Sequence, residues 1–330
     1  KRNVNFGEKR KIYIGVDSIV FEVIFRRTTM NDFLNDCKRV ASMLSTWPGP
    51  WDDLIRAIER GPVLLVGEGS SRLFPGGLTA HMVRLFGLRH PFYAIGGREA
   101  VLCRLSDWQV LLVSNSGSTR EPLEAVPTPA LALLGRGDGA MSRLGIPTRV
   151  VLDSPETAVA ATVSVYAQAL VLAEALCVAT GRTVPLDRLI RGLELSPDSL
   201  AGANRIFWAG SQDGLAEELA LKTAETTGRI GIACPDTMIL HGLEELWTEG
   251  DLVVDLGLRA DDARELASRT RGTGAFVYRL PALLEDEWAG FDRLNLGWLL
   301  LADQAAQLGR DPSNPKRARK IGNPFDVGAT

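Results

Sequence analysis

The sequence has few of the residues that build metal centres and disulfide bonds. Its 330 residues include four cysteines and three histidines. The cysteines stand singly, at Cys37, Cys103, Cys177 and Cys234, and no Cys-x-x-Cys pair occurs. A structural zinc site is therefore not expected. Isolated cysteines are typical of a reducing compartment, so we expect a cytoplasmic protein that holds no metal.

A strong net charge and long apolar runs are also missing. The formal net charge is -3, so no basic surface for nucleic acid is expected. No apolar run is long enough to cross a bilayer, and the start shows no signal-peptide core, so no membrane partner is expected. A hydrophobic content of 45% in 330 residues is typical of a globular protein with room for two domains.

Strand-like and helix-like segments alternate along most of the chain. Residues 1–29 stand apart as an N-terminal extension of unknown role, and two short helices are predicted between Met30 and Arg60. Predicted strands follow at 63–66, 93–95, 110–113, 130–134 and 149–152, then a helix from about 157 to 180. The rhythm resumes with strands at 206–209, 230–234, 252–256 and 276–278, and a helix at about 291–308. This pattern predicts an α/β protein with two doubly wound, flavodoxin-like parallel-sheet domains, 30–180 and 181–330, with flanking helices.

A hydroxyl-rich turn comes directly after one of the apolar strands. Residues 111–113 are apolar, and Ser-Asn-Ser-Gly-Ser-Thr follows at 114–119. Hydroxyl donors and free backbone N–H groups at the start of a helix bind phosphate without a lysine. Gly117 lets the backbone approach a ligand closely and take a positive φ. The alternative for these residues is an ordinary Ser/Thr cap of a helix.

A second turn of small residues follows the first predicted strand. Gly67-Glu68-Gly69-Ser70-Ser71 lies between that strand and a helix, so it is expected near the hydroxyl-rich turn, at the carboxyl edge of the sheet. The third glycine of a dinucleotide-binding motif is missing, because Leu73 and Phe74 fill its place. No nucleotide cofactor is expected. The predicted sheet is the only argument for an NAD-linked oxidoreductase, and a fold by itself is not evidence of function.

The second half of the chain supplies candidate acid and base groups. Glu218, Lys222 and Glu225 share one face of a predicted helix, and their spacing alone indicates a solvated surface. His241 follows Glu225 by sixteen residues, in a predicted loop. A single histidine is more often structural, but a carboxylate and an imidazole beside a phosphosugar would supply both proton transfers of sugar isomerisation. The basic run that ends at Lys320 is, by itself, typical of a solvated tail.

Together these motifs resemble the two-domain form of the sugar isomerase (SIS) domain family, over roughly Met30 to Lys320. The family's phosphate loop resembles residues 114–119, and its Pro-Glu-x-x-Val-Ala-x-Thr motif is similar to 155–162. Glu225 and His241-Gly242 stand at the family's spacing. The closing Asp311-Pro312-x-x-Pro315 with Lys320 resembles the tail that covers the substrate.

The resemblance implies a role for each matching residue. The 6-phosphate of a sugar would be held by Ser114, Asn115, Ser116, Gly117 and Thr119, with Ser70 and Ser71 near the sugar. Glu225 would move the proton between C1 and C2, and Lys320 would contact the open-chain sugar. His241 would open the ring and would come from the neighbouring subunit, which implies a homodimer with shared active sites.

The sequence also departs from the family pattern. Ala161 replaces a serine, Val163 replaces a lysine, and Leu243 replaces the proline after His-Gly. The expected function is therefore stated broadly, as aldose–ketose isomerisation of a hexose 6-phosphate or amino-sugar 6-phosphate, with or without amine release by a deaminase or deglycase. The alternatives are a glucose/mannose phosphate isomerase and a phosphosugar sensor that does no chemistry.

Overall fold

A computed structural model describes residues 32–126, 129, 131–315 and 317 of the chain. The N-terminal extension and Lys320 lie outside these residues. The chain begins with helices α1 (Asp32–Ser45) and α2 (Asp52–Arg60), which confirms the two predicted short helices. Within the described ranges, no helix is both long and apolar enough to cross a membrane.

The first sheet contains five parallel strands in the order β2-β1-β3-β4-β5. The strands are β1 (Val63–Gly67), β2 (Phe92–Ile95), β3 (Gln109–Ser114), β4 (Leu131–Leu134) and β5 (Thr148–Val150). The helices between them are α3 (Ser70–Phe86), α4 (Gly97–Ala100), α5 (Arg120–Ala125) and α6 (Ala140–Arg143). The fifth strand is shorter and earlier than the predicted 149–152.

The second sheet contains four parallel strands in the order β7-β6-β8-β9. Helices α7 (Val163–Ala179) and α8 (Leu186–Gly192) lead to it. Its strands are β6 (Arg205–Ala209), β7 (Ile230–Cys234), β8 (Leu252–Asp255) and β9 (Phe276–Arg279). The accompanying helices are α9 (Leu215–Thr227), α10 (Ala260–Arg269) and α11 (Ala289–Gln307). Two parallel-sheet regions with flanking helices confirm the predicted fold class, and the domain boundary near residue 180 stays a prediction.

Each sheet has one point where the order of its strands reverses. From β1 the chain passes to β2 on one side and then to β3 on the other, so Gly67 at the end of β1 lies opposite Val113 of β3. In the second sheet β6 and β8 are placed in the same way, with Ala209 opposite Asp255. Ligands of open α/β sheets bind at such points, beyond the carboxyl ends of the strands.

The long helix α7 begins at Val163, later than the predicted start near Thr157. The carboxylate of Glu156 explains the difference. It accepts the backbone N–H of Thr162 at 2.6 Å and the hydroxyl of Ser164, also at 2.6 Å. Because this side chain binds the free N–H groups at the start of the helix, the preceding residues keep an irregular conformation.

Helix α1 ties this irregular segment to the end of the chain. The Asp36 carboxylate accepts the N–H groups of Thr157 and Ala158 at 3.0 and 2.9 Å. At the start of the same helix, the N–H of Phe33 donates to the Ser313 hydroxyl at 3.0 Å. Three distant parts of the sequence are therefore joined at α1.

Helix α3 joins the two sheet regions, because it packs against β1 and β2 of the first sheet and against α9 of the second region. Two glycines allow the close approach. A Cβ placed at Gly77 would lie 2.6 Å from the backbone of Asp213, and one placed at Gly214 would meet the Leu73 carbonyl oxygen. Beside them, the Phe74 ring packs edge-on against Phe291 of α11 at 5.6 Å.

Replacing Gly77 with alanine should lower the free energy of unfolding by about 1 to 3 kcal/mol, because the new methyl group must displace a backbone segment. Gly61→Ala is the matched control, since Gly61 has extended backbone and no atom within 4 Å of the added Cβ. Urea denaturation of both variants measures the difference. Equal stability of the two variants would contradict the close contact between α3 and the segment before α9.

Candidate functional site

Residues 114–119, here called the hydroxyl loop, place three hydroxyl groups together at the end of β3. The hydroxyls of Ser114 and Thr119 share a hydrogen bond of 2.8 Å, and that of Ser116 lies 3.5 Å from Ser114. The N–H of Gly117 donates to the Ser114 hydroxyl at 3.0 Å, and Gly117 has a φ of 64°. The loop therefore forms a compact cup of hydroxyl groups at the reversal point of the first sheet.

Ser118 belongs to the loop but faces another partner. Its hydroxyl accepts the N–H of Ala140 at 2.9 Å, and the carbonyl oxygen of Gly117 accepts the N–H of Met141 at 2.8 Å. Both bonds hold the loop against the start of α6. Ser118 therefore fixes the loop to α6, whereas the hydroxyls of Ser116 and Thr119 both lie next to the Ser114 hydroxyl.

Asn115 lies against the end of the neighbouring strand. A Cβ placed at Gly135, directly after β4, would collide with the Asn115 side-chain oxygen. That oxygen is buried and has no hydrogen-bond partner among the described residues. A buried amide oxygen without a protein partner is costly.

Ser70 and Lys222 connect the first sheet region to the second. Ser70 opens α3 beside the hydroxyl loop, and Lys222 lies in the middle of α9. The Lys222 Nζ donates to the Ser70 hydroxyl at 2.6 Å. Ser71 is buried next to it. The turn after β1 is thus joined directly to the helix that carries Glu225.

One face of α9 carries the α9 charge cluster, which consists of Glu218, Lys222 and Glu225. This face is not solvated, so the solvated surface predicted from the spacing of these residues was wrong. Lys222 is fully buried, Glu218 is fully buried, and the Glu225 side chain is 23% exposed. The Lys222 Nζ donates to the Glu225 carboxylate at 2.7 Å and lies 3.4 Å from that of Glu218. Helix α3 covers this face of α9, which the periodicity of α9 alone does not reveal.

The charges of the cluster shift the pKa values of its members. Burial by itself lowers the pKa of Lys222, but the Glu218 and Glu225 carboxylates outweigh it and raise that pKa above the usual value. Burial raises the pKa of Glu218, although Lys222 opposes the rise. Lys222 therefore stays protonated, and it presents a fixed positive charge to Glu225.

His241 lies apart from these contacts. It follows a short turn, Met238–Leu240, and its side chain is exposed. Among the described residues, no side-chain or backbone group hydrogen bonds with its imidazole. The next residue, Gly242, donates its N–H to Glu244 at 2.6 Å. Lys320, the remaining predicted catalytic residue, lies outside the described part of the chain.

A cavity of about 460 Å³ lies at the carboxyl ends of β1 and β2, next to the first turns of α3, α4 and α5. It is lined by Glu68, Arg72, Gly96, Arg98, Glu99 and Glu121. Glu68 is held in place by the N–H of Gly97 at 2.8 Å, and the Nε of Arg72 is buried without a partner in the described residues. In the sequence, Arg72 is marked only by its position next to Ser70 and Ser71.

The fold is similar to those of solved phosphosugar enzymes. One is glucosamine-6-phosphate deaminase from Thermotoga maritima, with 17% identity, TM-score 0.69, and coverage of 87% of this chain and 97% of that chain. Another is the C-terminal domain of glucosamine-fructose-6-phosphate aminotransferase from Francisella tularensis, with 13% identity, TM-score 0.71, and coverage of 86% and 98%. A third is tagatose-6-phosphate ketose/aldose isomerase from Escherichia coli, with 21% identity, TM-score 0.63, and coverage of 87% and 96%.

No protein-family model and no curated protein matches the sequence. At these identities the likeness establishes the fold, which is that of the SIS-type phosphosugar isomerases. The expected resemblance is therefore confirmed at the level of the fold. The roles of individual site residues stay predictions.

Replacing Lys222 with methionine should destabilise the protein by about 3 to 5 kcal/mol near neutral pH, because it leaves the Glu218 carboxylate buried without a cation. The folded-state pKa of Glu218 is raised, so protonation of this group favours the folded protein as the pH falls. The loss should therefore be smaller at about pH 5 than at about pH 8.

Urea denaturation at the two pH values measures this difference. The double variant Glu218→Gln/Lys222→Met is the control, since it removes both charges and should recover part of the lost stability at the higher pH. A loss for Lys222→Met that does not change with pH would contradict the uncompensated charge on Glu218.

Proposed function

We propose that the protein is an enzyme that isomerises a sugar 6-phosphate by moving a proton between C1 and C2 of the open-chain sugar. The observation that carries the proposal is the chain of contacts from Ser70 through Lys222 to Glu225. It links the Glu225 carboxylate of α9 to Ser70, in the turn after β1 of the first sheet. A phosphate cup and a carboxylate held by a buried cation are what this reaction needs.

In the proposal the hydroxyl loop binds the 6-phosphate. The hydroxyls of Ser114, Ser116 and Thr119 donate to its oxygens. The first turn of α5 adds N–H groups that no side chain caps. Gly117 keeps the backbone close to the ligand, and Asn115 supplies a further polar group. No cationic side chain is needed, because the phosphate charge is met by hydrogen bonds.

The sugar then extends from the hydroxyl loop toward Ser70, Ser71 and the α9 charge cluster. Glu225 is the base, because it is the member of the cluster with an exposed fraction large enough to meet a ligand. Lys222 is a positioning residue in this scheme. Its ammonium group donates to one oxygen of Glu225 at 2.7 Å, which leaves the other oxygen to accept a proton.

The proton transfer proceeds in two steps. The Glu225 carboxylate removes the proton from C2 of the aldose, and the electrons of that bond form the C1–C2 double bond of an enediol as the carbonyl oxygen at C1 gains a proton. Glu225 then delivers its proton to C1, and the hydroxyl at C2 loses its proton to become the ketone. With a 2-amino sugar the same steps give an imine at C2, which water hydrolyses with release of ammonia.

Ring opening is assigned to His241, which would act across the interface of a homodimer. Its exposed position, away from described hydrogen-bond partners, suits a group that completes the site of a second subunit. Lys320 keeps its predicted role as a contact of the open-chain sugar. The names of the similar structures, which include a deaminase and a ketose/aldose isomerase, support a phosphosugar as the substrate class.

The reaction is tested by incubating the protein with fructose 6-phosphate, glucosamine 6-phosphate and a fructosamine 6-phosphate, with unphosphorylated fructose as the negative control. NMR of the products and an ammonia assay distinguish isomerisation from amine release. Glu225→Gln should lower turnover roughly a hundredfold or more while phosphosugar binding persists, because only the base is lost.

The matched control is Glu265→Gln, which neutralises an exposed carboxylate on α10 and should leave turnover unchanged. Unchanged turnover of Glu225→Gln would remove Glu225 from the mechanism. If the phosphosugars bind but are not turned over, the proposed enzymatic activity is contradicted and the alternative of a phosphosugar sensor is supported.

The shared site is tested by co-expressing two inactive variants, Glu225→Gln and His241→Asn. If His241 serves the partner's site, each mixed dimer has one site with both residues intact. Random pairing should then restore about a quarter of the wild-type activity. Each variant expressed alone is the control. No recovery in mixed dimers would place His241 and Glu225 in the site of the same subunit.

A further inference from the structure

Residues 238–247, here called the His241 turn, are anchored in the core on both sides of the histidine. Leu240 is buried before it, and Trp247 is buried after it. Both belong to the apolar cluster of the second sheet that also contains Leu266 of α10. Between these anchors His241 is exposed. The place of the imidazole is therefore set by a short turn that packs against α10.

Arg269, the last residue of α10, binds the chain on both sides of His241. Its Nη1 donates to the Leu240 carbonyl oxygen at 2.9 Å. The same nitrogen donates to the carboxylate of Glu244, which follows the histidine. Hydrogen bonds from a guanidinium group to a carboxylate are stronger than those between neutral groups. One side chain of α10 thus joins the start of the His241 turn to its second half.

Glu244 completes the connection. One of its oxygens accepts the bond from Arg269, and the other accepts the N–H of Gly242 at 2.6 Å. Gly242 has a φ of 102°, a conformation that glycine adopts without strain. Hydrogen bonds from the backbone N–H groups of Glu244 and Gly242, and from Arg269, lower the pKa of Glu244 below its usual value. It therefore stays a carboxylate that can accept both bonds.

The imidazole of His241 has no hydrogen-bond partner of its own among the residues that the structure describes. Its position therefore depends on the backbone that carries it, to which Arg269 and Glu244 bind on either side. A group that transfers protons loses much of its effect when it is misplaced by about 1 Å. The side chains of Arg269 and Glu244 are 40% and 20% exposed, and ion pairs this exposed add little to the stability of a fold.

We propose that Arg269, together with Glu244, is a positioning residue of the ring-opening step. The inference rests on the proposed function, in which His241 opens the ring, and it adds the groups that hold His241 in place. Ring opening of fructose 6-phosphate breaks the bond between C2 and the ring oxygen. The proton of the C2 hydroxyl passes through the imidazole to that oxygen, and the C2 ketone forms.

The test compares two ketose phosphates, of which only one needs ring opening. Fructose 6-phosphate forms its ring through the 5-hydroxyl, whereas 5-deoxyfructose 6-phosphate lacks this hydroxyl and stays open. Arg269→Met should lower kcat roughly tenfold for fructose 6-phosphate and leave kcat for the open ketose within about twofold. The KM for fructose 6-phosphate should change little, because the hydroxyl loop is untouched.

Glu244→Gln should cause the same loss, because one amide oxygen cannot accept the bonds from both Arg269 and Gly242. The double variant Glu244→Gln/Arg269→Met should be no slower than either single variant, since the two residues act as a unit. Arg264→Met is the matched control. It removes an exposed arginine of the same helix, whose ion pair is with Asp261, and should leave both reactions unchanged.

Amide hydrogen exchange of Gly242, followed by NMR, is a second measurement that does not depend on turnover. Exchange should become roughly fivefold faster or more in Arg269→Met and in Glu244→Gln, because the bond that protects this N–H is weakened or lost. It should not change in Arg264→Met.

Equal losses of kcat for the two ketoses would indicate a general structural effect and overturn the proposal. Unchanged turnover of fructose 6-phosphate by Arg269→Met, or unchanged exchange of Gly242, would overturn it as well. A wild-type protein that turns over neither ketose contradicts the proposed function, and the positioning role falls with it. The two failures are distinguishable, because only the second affects the wild type.

Discussion

The contact between Ser70 and Lys222 is the interaction on which the rest of the site depends. A lysine buried this completely needs a partner for its charge, and Glu218, Glu225 and the Ser70 hydroxyl provide one. Ser70 opens α3, so the ammonium group also fixes α3 against α9. The close packing at Gly77 supports the same arrangement. The same buried ammonium group therefore stabilises the contact between the sheet regions and positions the proposed base.

The two sheets share an architecture and differ in the chemistry of their reversal points. In the first sheet, the Ser114 hydroxyl of the loop after β3 is hydrogen-bonded to that of Thr119 and lies 3.5 Å from that of Ser116. In the second, Asp213 and Asp255 occupy the corresponding N–H groups themselves. The same fold thus surrounds one reversal point with hydroxyl groups and the other with carboxylates that accept its backbone N–H groups.

The strands were predictable because buried parallel strands are continuous apolar runs, such as Val63–Gly67 and Leu131–Leu134. The start of α7 at Val163 could not be predicted in this way. Residues 157–162 have a helix-like composition, but Asp36 and Glu156 take the N–H groups of this segment for themselves. Asp36 is more than a hundred residues away, and a local pattern carries no information about such a partner.

The sequence by itself determined the alternation of strands and helices, the two parallel sheets that follow from it, and the hydroxyl loop at the end of β3. These features depend on local composition and on the rule that parallel strands align their carboxyl ends. Only the tertiary structure decided that the face of α9 with Glu218, Lys222 and Glu225 is buried, and that Ser70 meets it. Helical spacing shows which residues share a face, whereas the element that covers that face comes from a segment 152 residues earlier.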